Sequence, residues 1–251
     1  MTKICIFTII FILSVSCNNF DDEETSDLVV FSAISFSEIL LNTKEYFEEK
    51  ENVNLSFSFS GSQVLASQIS NGAPVDIFIS SGVSPVRYLL DKNLLIEEHI
   101  YNVTTNKLVL ATLKDYPVSD IDDLRYLHKF DSIAIADPEY APAGIYSEQV
   151  LARLKLEDAQ MPKILTAPNA MLALNYLETG NVSAAILYET DAINSDKVIS
   201  LDIIPENFYG PIKYPAVILN STDELDLAYK YIEYLLSSEF TDILNSYGFK
   251  R

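Results

Sequence analysis

Residues 132–155 read SIAIADPEYAPAGIYSEQVLARLK. The first residues form a short, nearly continuous apolar run, which is typical of a strand that is buried on both faces of a sheet. A polar turn follows, and then Pro142, which suits the first turn of a helix because its missing N–H leaves nothing unpaired there. The stretch therefore predicts a strand over 132–137 and a helix over 143–155.

The same order of strand and helix repeats along the chain from residue 28 onward. Short runs rich in Val, Ile, Leu and Phe alternate with longer segments that have the apolar spacing of one buried helix face. Strands are predicted over 28–33, 53–59, 75–80, 107–112, 132–137, 184–188 and 214–219. Helices are predicted over 36–47, 62–71, 83–92, 119–128, 143–155, 168–179 and 222–247. This alternation predicts an α/β fold with mostly parallel sheets.

Serine residues mark two of the predicted helix starts. Ser35-Phe36-Ser37-Glu38 and Ser60-Gly61-Ser62-Gln63 both fit the spacing of a capping box. In an open α/β sheet, helix N-termini and the carboxyl ends of strands meet at one crevice, where backbone N–H groups can bind an anion without a cationic side chain. Because capping alone explains most such serines, the pattern leaves a structural role and a binding role open.

The composition excludes several classes of protein. The chain has 251 residues, of which 49% are apolar, enough to bury a core in one large or two modest domains. Its 36 acidic and 17 basic residues give a net charge of −19, which argues against nucleic-acid binding because clustered Lys and Arg are needed to neutralise phosphates. With two Cys and two His, a disulfide scaffold and a zinc cluster are excluded. The sequence holds no GxSxG, GxGxxG, Walker, HExxH or CxxC motif, so we expect no enzyme activity, no cofactor and no metal site.

The N-terminus has the layout of a secretory signal. Residues 1–17 read MTKICIFTIIFILSVSC, in which Lys3 precedes an uncharged apolar run that is too short for a permanent membrane-spanning helix. The end of this segment resembles a lipobox, although Ser14 replaces the usual large aliphatic residue. We therefore expect a lipoprotein signal peptide over 1–17 and lipidation of Cys17, with an ordinary cleaved signal as the alternative.

Residues 18–27, NNFDDEETSD, are polar and acidic and predict a flexible tether. Acylation of Cys17 would hold an exported domain at a membrane surface, in the periplasm or on the cell surface. An acidic run after a lipidated cysteine also resembles the surface-export signal of some Gram-negative lipoproteins. A solvated linker explains the run at least as well.

Six segments occur in the same order as in a known family. They are FSAISFSEIL (31–40), SFSGSQVLASQISNGAPVDIFIS (58–80), IADPEYAPAGIYSEQVL (135–151), AAILYETDA (184–192), KYPAVIL (213–219) and YGF (247–249). Together they resemble the molybdate-binding proteins of ABC transporters, over nearly the whole chain. The resemblance implies a substrate-binding component of an ABC importer, which binds molybdate or tungstate as its ligand and delivers it to a permease. We expect a monomer by default.

The resemblance also implies a two-lobed type II periplasmic-binding-protein fold. Each lobe would be a mixed, mostly parallel sheet flanked by helices, and the ligand cleft would lie between the lobes. Lobe 1 would comprise 28–106 and 215–251, and lobe 2 would comprise 107–214. Two crossing strands, over 107–111 and 213–217, would carry the hinge.

Five positions correspond to the family's ligand contacts, namely Ser35, Ser62, Ala143, Ala170 and Tyr188. The resemblance implies that Ser35, Ser62 and Tyr188 donate from their hydroxyls, and that the two alanines donate from backbone N–H groups near helix starts. The register of the second serine is open between Ser62 and Ser60.

All five positions are uncharged, and each offers a hydroxyl, a backbone N–H or both. A site made only of donors selects a fully deprotonated tetrahedral oxyanion, since a protonated phosphate would need an acceptor carboxylate. This favours molybdate, tungstate or sulfate, and cavity size would choose among them. The alternatives are a binding protein for another oxyanion, such as sulfate, and a non-transport surface protein on the same scaffold.

Overall fold

The computed structural model describes residues 26–117, 124–157 and 160–251. The expected signal peptide over 1–17, including Cys17, lies outside the described residues, as does most of the expected tether. In chain order the strands are β1 (Ser26–Ala33), β2 (Val53–Ser60), β3 (Ile77–Ile79), β4 (Ile100–Asn106), β5 (Leu108–Leu113), β6 (Ser132–Ala136), β7 (Lys163–Ala167), β8 (Ala184–Tyr188), β9 (Val198–Ile203) and β10 (Ile212–Ile218). The helices are α1 (Ser37–Glu51), α2 (Ser62–Ser70), α3 (Val83–Asp91), α4 (Pro142–Leu154), α5 (Ala170–Glu178), α6 (Glu189–Ile193), α7 (Leu225–Leu236) and α8 (Ser238–Ser246).

The strands form two five-stranded mixed sheets with similar layouts. The first sheet has the order β2-β1-β3-β10-β4 and the second has the order β7-β6-β8-β5-β9. β1 and β6 run parallel to both of their neighbours, whereas β10 and β5 run antiparallel to both of theirs. The chain passes from the first sheet to the second between β4 and β5, and returns in β10.

Helices flank both sheets. α1, α2, α3 and α7 contact strands of the first sheet, and α4, α5 and α6 contact strands of the second. This is a two-lobed α/β architecture, which confirms the predicted fold class. The predicted parallel pairing holds for β1 and β6. β5 and β10, which follow the two crossings between the sheets, run opposite to their neighbours and pair with them antiparallel.

The sequence missed three strands, β4, β7 and β9. All three lie at the edge of a sheet, and much of β7 and β9 is exposed. An edge strand has solvent on one side and needs no continuous apolar run, so the pattern that identified β6 and β8 is absent there. By contrast, every residue of β8 is buried.

Two predicted helices differ from the structure. The single helix predicted over 222–247 is two helices, because Ser237 is extended and its hydroxyl accepts the Phe240 N–H at 3.1 Å to begin α8. Of the helix predicted over 119–128, the described part is a 3-10 helix over Leu124–Lys129, and residues 118–123 lie outside the described ranges. The short helix α6 was not predicted.

Across the described ranges, no helix combines the length and apolar character needed to cross a membrane.

Candidate functional site

A chain of hydrogen bonds joins the two sheets through three buried residues. Tyr188, the last residue of β8, donates from its hydroxyl to the Ser81 carbonyl at 3.0 Å. The Ser81 N–H in turn donates to the Ser62 hydroxyl oxygen at 3.1 Å, at the start of α2. Tyr188 and Ser62 have no exposed surface. The carboxyl end of β8 in the second sheet therefore meets the helix starts of the first sheet.

A second polar group lies against the first one. The Ser35 and Tyr214 hydroxyls are 3.0 Å apart, and Asn106 donates from Nδ2 to the Tyr214 hydroxyl at 3.3 Å and to Thr190 Oγ1 at 2.9 Å. The Tyr214 and Tyr188 rings pack with their centroids 6.0 Å apart. Ser35 and Tyr188, from different sheets, are thus linked through one intervening tyrosine.

The helices that carry Ala143 and Ala170 are α4 and α5. Their N-termini lie next to the N-termini of helices that pack on the first sheet. A Cβ at Gly82, just before α3, would lie 2.7 Å from Pro142 Cβ at the start of α4. A Cβ at Gly61, just before α2, would collide with the Tyr140 carbonyl. We call this contact the seam, and define it by Gly61, Gly82, Tyr140, Pro142 and Pro168.

Both alanines are buried near this seam. Ala143 is the second residue of α4 and Ala170 the first residue of α5. N–H groups in a first helical turn have no partner within the helix. The side-chain oxygen of Asn169 accepts the N–H of Leu172, the third residue of α5, at 2.9 Å. The structure therefore brings all five predicted positions, from four helix starts and one strand end, to the boundary between the sheets.

Of the two roles left open for these serines, the structure does not show capping. α1 begins at Ser37 after a 3-10 turn over Ile34–Phe36, and neither turn nor helix has a side-chain cap. α2 begins at Ser62 with Gly61 as its uncapped N-cap residue, because the seam leaves no room for a side chain there. The hydroxyl of Ser62 is buried in the polar chain, whereas Ser60 ends β2 and is partly exposed.

The hydrogen bonds leave the serine protons available. Ser62 Oγ accepts the Ser81 N–H and lies 3.4 Å from Ser81 Oγ, so its own proton is free to be donated when Ser81 Oγ is the donor of that pair. Tyr214 accepts from Asn106 and can donate to Ser35 Oγ, which leaves the Ser35 proton free as well. The Tyr188 proton, however, is engaged with the Ser81 carbonyl, so it must turn away from that carbonyl to reach a ligand.

Burial keeps the tyrosines neutral. It raises the pKa of the Tyr188 and Tyr214 hydroxyls well above the ordinary value of 10.0, so both remain protonated donors at physiological pH. Burial likewise raises the pKa of Asp191, near both tyrosines, from 3.8 to about 7. Its Oδ2 atom is buried and has no hydrogen-bond partner among the described residues.

Four residues of this polar region were not predicted, namely Ser81, Asn106, Asp191 and Tyr214. Tyr214 and Asp191 lie inside quoted segments, KYPAVIL and AAILYETDA, but nothing in the pattern separates them from core or surface residues. Ser81 and Asn106 carry no sequence signal, because their partners are far away in the chain. In the described ranges, no group of three or more His, Cys, Asp or Glu residues could hold a metal ion.

The fold and this boundary between two sheets are those of a carrier of small solutes. The bacterial extracellular solute-binding protein family matches residues 28–250, and the chain belongs to this family. Among its relatives, ModA of Haemophilus influenzae, a molybdate-binding protein, is 30% identical over 90% of this chain and 90% of its own length. The Bacillus subtilis substrate-binding lipoprotein YvgL is 32% identical over 91% of this chain and 88% of YvgL.

A solved structure supports the same placement. The periplasmic molybdate-binding protein of Azotobacter vinelandii superposes with a TM-score of 0.78 at 25% identity. The match covers 89% of this chain and 99% of that one. The fold of this family is the two-lobed type II fold of periplasmic binding proteins, and its members bind solutes rather than transform them.

Proposed function

We propose that this protein is the substrate-binding component of an ABC importer, and that it binds molybdate, or tungstate, at the boundary between its two lobes. The observation that carries the proposal is the convergence of uncharged donors from both sheets on the chain Ser62–Ser81–Tyr188. Relatives that are named molybdate-binding proteins, over about nine-tenths of the chain, support the choice of ligand.

The proposed ligand contacts are Ser35, Ser62, Ala143, Ala170 and Tyr188. Two serine hydroxyls with free protons and two first-turn N–H groups are donors that face the same boundary, and Tyr188 would join them by releasing Ser81. Charge-assisted hydrogen bonds of this kind are short and strong when water is excluded. No Lys or Arg side chain takes part in the described hydrogen bonds of this region, where Lys107 contributes only its backbone N–H to Asn106 Oδ1, so binding would depend on oriented dipoles.

Ligand release would require the lobes to separate. We propose lobe 1 over 28–106 and 215–251 and lobe 2 over 107–214, as the family resemblance implies. The step from β4 to β5, at Lys107, supports the first boundary. Pairing of β10 with β4 from Ile212 onward supports a return crossing a few residues earlier than 215.

Isothermal titration with molybdate, tungstate and sulfate tests the function. We expect submicromolar binding of the first two anions and no heat with sulfate. Tight sulfate binding would keep a transport role but change the cargo. Absence of binding to any of the three would overturn the proposal and leave a two-lobed protein without this ligand.

We also propose that Cys17 is lipidated and that the protein works as a monomer beside its permease. The naming of YvgL as a lipoprotein supports the anchor. Replacing Cys17 with serine should release the protein from the membrane fraction and abolish labelling with a radioactive fatty acid. Continued labelling of the Cys17→Ser protein would contradict the assignment.

A further inference from the structure

A small cavity lies beside the polar network, on the side of α6. Its volume is about 120 Å³, and Ser35 and Asp191 both line it. Asp191 is partly exposed as a residue, but its Oδ2 atom is buried and has no hydrogen-bond partner among the described residues. A buried carboxyl oxygen without a donor is costly when the group is ionised, so its presence calls for an explanation.

Among the described residues, the elements packed against α6 and the wall of the cavity contribute no Lys, Arg or His side chain. Lys107, whose carbonyl accepts the Glu189 N–H, lies in the connection between β4 and β5. The titratable groups of these elements and of the cavity wall are Tyr188, Glu189, Tyr176 and Glu178 of α5, Asp202 of β9, Tyr214 of β10, Glu38 of α1 and Tyr247. Every one of these groups is an acid or a phenol. Burial therefore acts on Asp191 without an opposing attraction, and it favours the protonated carboxyl.

We propose that Asp191 takes up a proton when the oxyanion binds, and so makes binding by this site proton-linked. This inference rests on the proposed anion site. Asp191 is close enough to Tyr188 and Tyr214 for its charge to act on both hydroxyls. An oxyanion held by Tyr188 and Ser35 would add a second negative charge near the buried Asp191 Oδ2, where charges interact more strongly than in water.

The direction of the coupling follows from this geometry. With the site free, Asp191 is half ionised at a pH of about 7, its pKa when burial alone acts. Bound anion disfavours the ionised form further, so binding draws a proton onto the carboxyl wherever the free site has lost it. Affinity is then highest at low pH and falls as pH rises above about 7.

Calorimetry of the purified full-length protein in buffers of different ionisation enthalpy tests this inference with molybdate itself as the probe. We expect uptake of a fraction of a proton at pH 7 and a dissociation constant about tenfold larger at pH 8 than at pH 6. Molybdate is fully deprotonated throughout that range, so it contributes no proton. In Asp191→Asn, which keeps the shape and stays neutral, proton uptake should vanish and the dissociation constant should be the same at both pH values.

The control is Glu38→Gln, which removes another acid from the same cavity wall and should keep the wild-type pH profile. His99 and His128 remain in both variants. If a histidine caused the pH dependence, the dissociation constant of Asp191→Asn would still change with pH, and that result would overturn the inference. Tight molybdate binding without proton exchange would also overturn it, while the proposed function would stand. Failure of the wild type to bind molybdate would overturn both.

Discussion

Among single residues, Tyr188 matters most to the proposed site because of its hydroxyl. In the structure it donates to the Ser81 carbonyl, and in the bound state it would donate to the anion. Tyr188→Phe removes this one donor and keeps the ring that packs on Tyr214. We expect oxyanion binding to weaken by about 1.5–3 kcal/mol, the usual range for a hydrogen bond to a charged group, as measured by titration calorimetry.

A matched control is Tyr231→Phe. Tyr231 is also a buried tyrosine, on α7, but its hydroxyl has no hydrogen-bond partner among the described residues and lies away from the site. Its removal should leave the affinity unchanged. Equal losses in the two variants would mean that the effect comes from packing, and full affinity in Tyr188→Phe would mean that the site is misplaced.

Asp191 also affects the stability of the ligand-free protein. Its folded pKa of about 7 exceeds its ordinary value of 3.8, so the folded state holds this proton more tightly than the unfolded chain does. The stabilising contribution of this group is therefore fully present below about pH 4 and is lost as pH rises to 7, by up to about 1.4 kcal/mol per pH unit.

We expect Asp191→Asn to lack this component, so that the wild type loses stability relative to the variant as pH rises from 4 to 7. Urea unfolding at a series of pH values measures the difference. A constant difference across the range would show that the pKa of the Asp191 carboxyl is not raised in the folded protein. Other carboxyl groups cancel in the comparison, since both proteins share them.

At the scale of elements, the seam depends on the absence of a side chain at Gly61. The backbone of Gly61 has a conformation open to any residue, with φ of −63°, so glycine is required there only by the approach of Tyr140. Gly61→Ala should leave each lobe folded but push the start of α2 away from the second lobe. We expect at least a tenfold loss of molybdate affinity and a larger radius of gyration in small-angle scattering of the ligand-bound protein.

Gln68→Ala provides the control, because Gln68 is exposed on the same helix and away from the seam. It should bind as the wild type does. A Gly61→Ala protein with unchanged affinity and size would show that the lobes need not close as tightly as this structure has them.

At the scale of the whole molecule, the net charge of −19 opposes the approach of an anion. Salt screens this repulsion over about 8 Å at physiological ionic strength, whereas the short hydrogen bonds of a closed site are much less affected. Association of molybdate should therefore become faster as salt is added. Stopped-flow association rates that fall with salt would contradict this and would indicate a local positive potential at the cleft.

The fold was predictable wherever burial is complete. Strands β6 and β8 lie inside their sheet, so β8 and all of β6 after Ser132 are buried, and each strand was identified within one residue of its end. The edge strands β7 and β9 and the break at Ser237 were missed because a half-exposed strand or a single extended residue changes the apolar pattern too little. The five proposed contacts were reached through family resemblance; their residue types showed only that each could donate.

The sequence by itself determined the α/β class, the central strands and the uncharged nature of the proposed contacts, because local propensity and burial depend on residues close together in the chain. Only the tertiary structure decided that Ser62 and Tyr188 meet through Ser81, that Gly61 must be small, and that Asp191 Oδ2 is buried near two tyrosines. The hydrogen bonds that join Ser62 to Ser81 and Ser81 to Tyr188 span 19 and 107 positions of the chain, and the Gly61 contact belongs to the boundary between the two lobes. No local pattern encodes such a distance, since it is set by how the lobes pack.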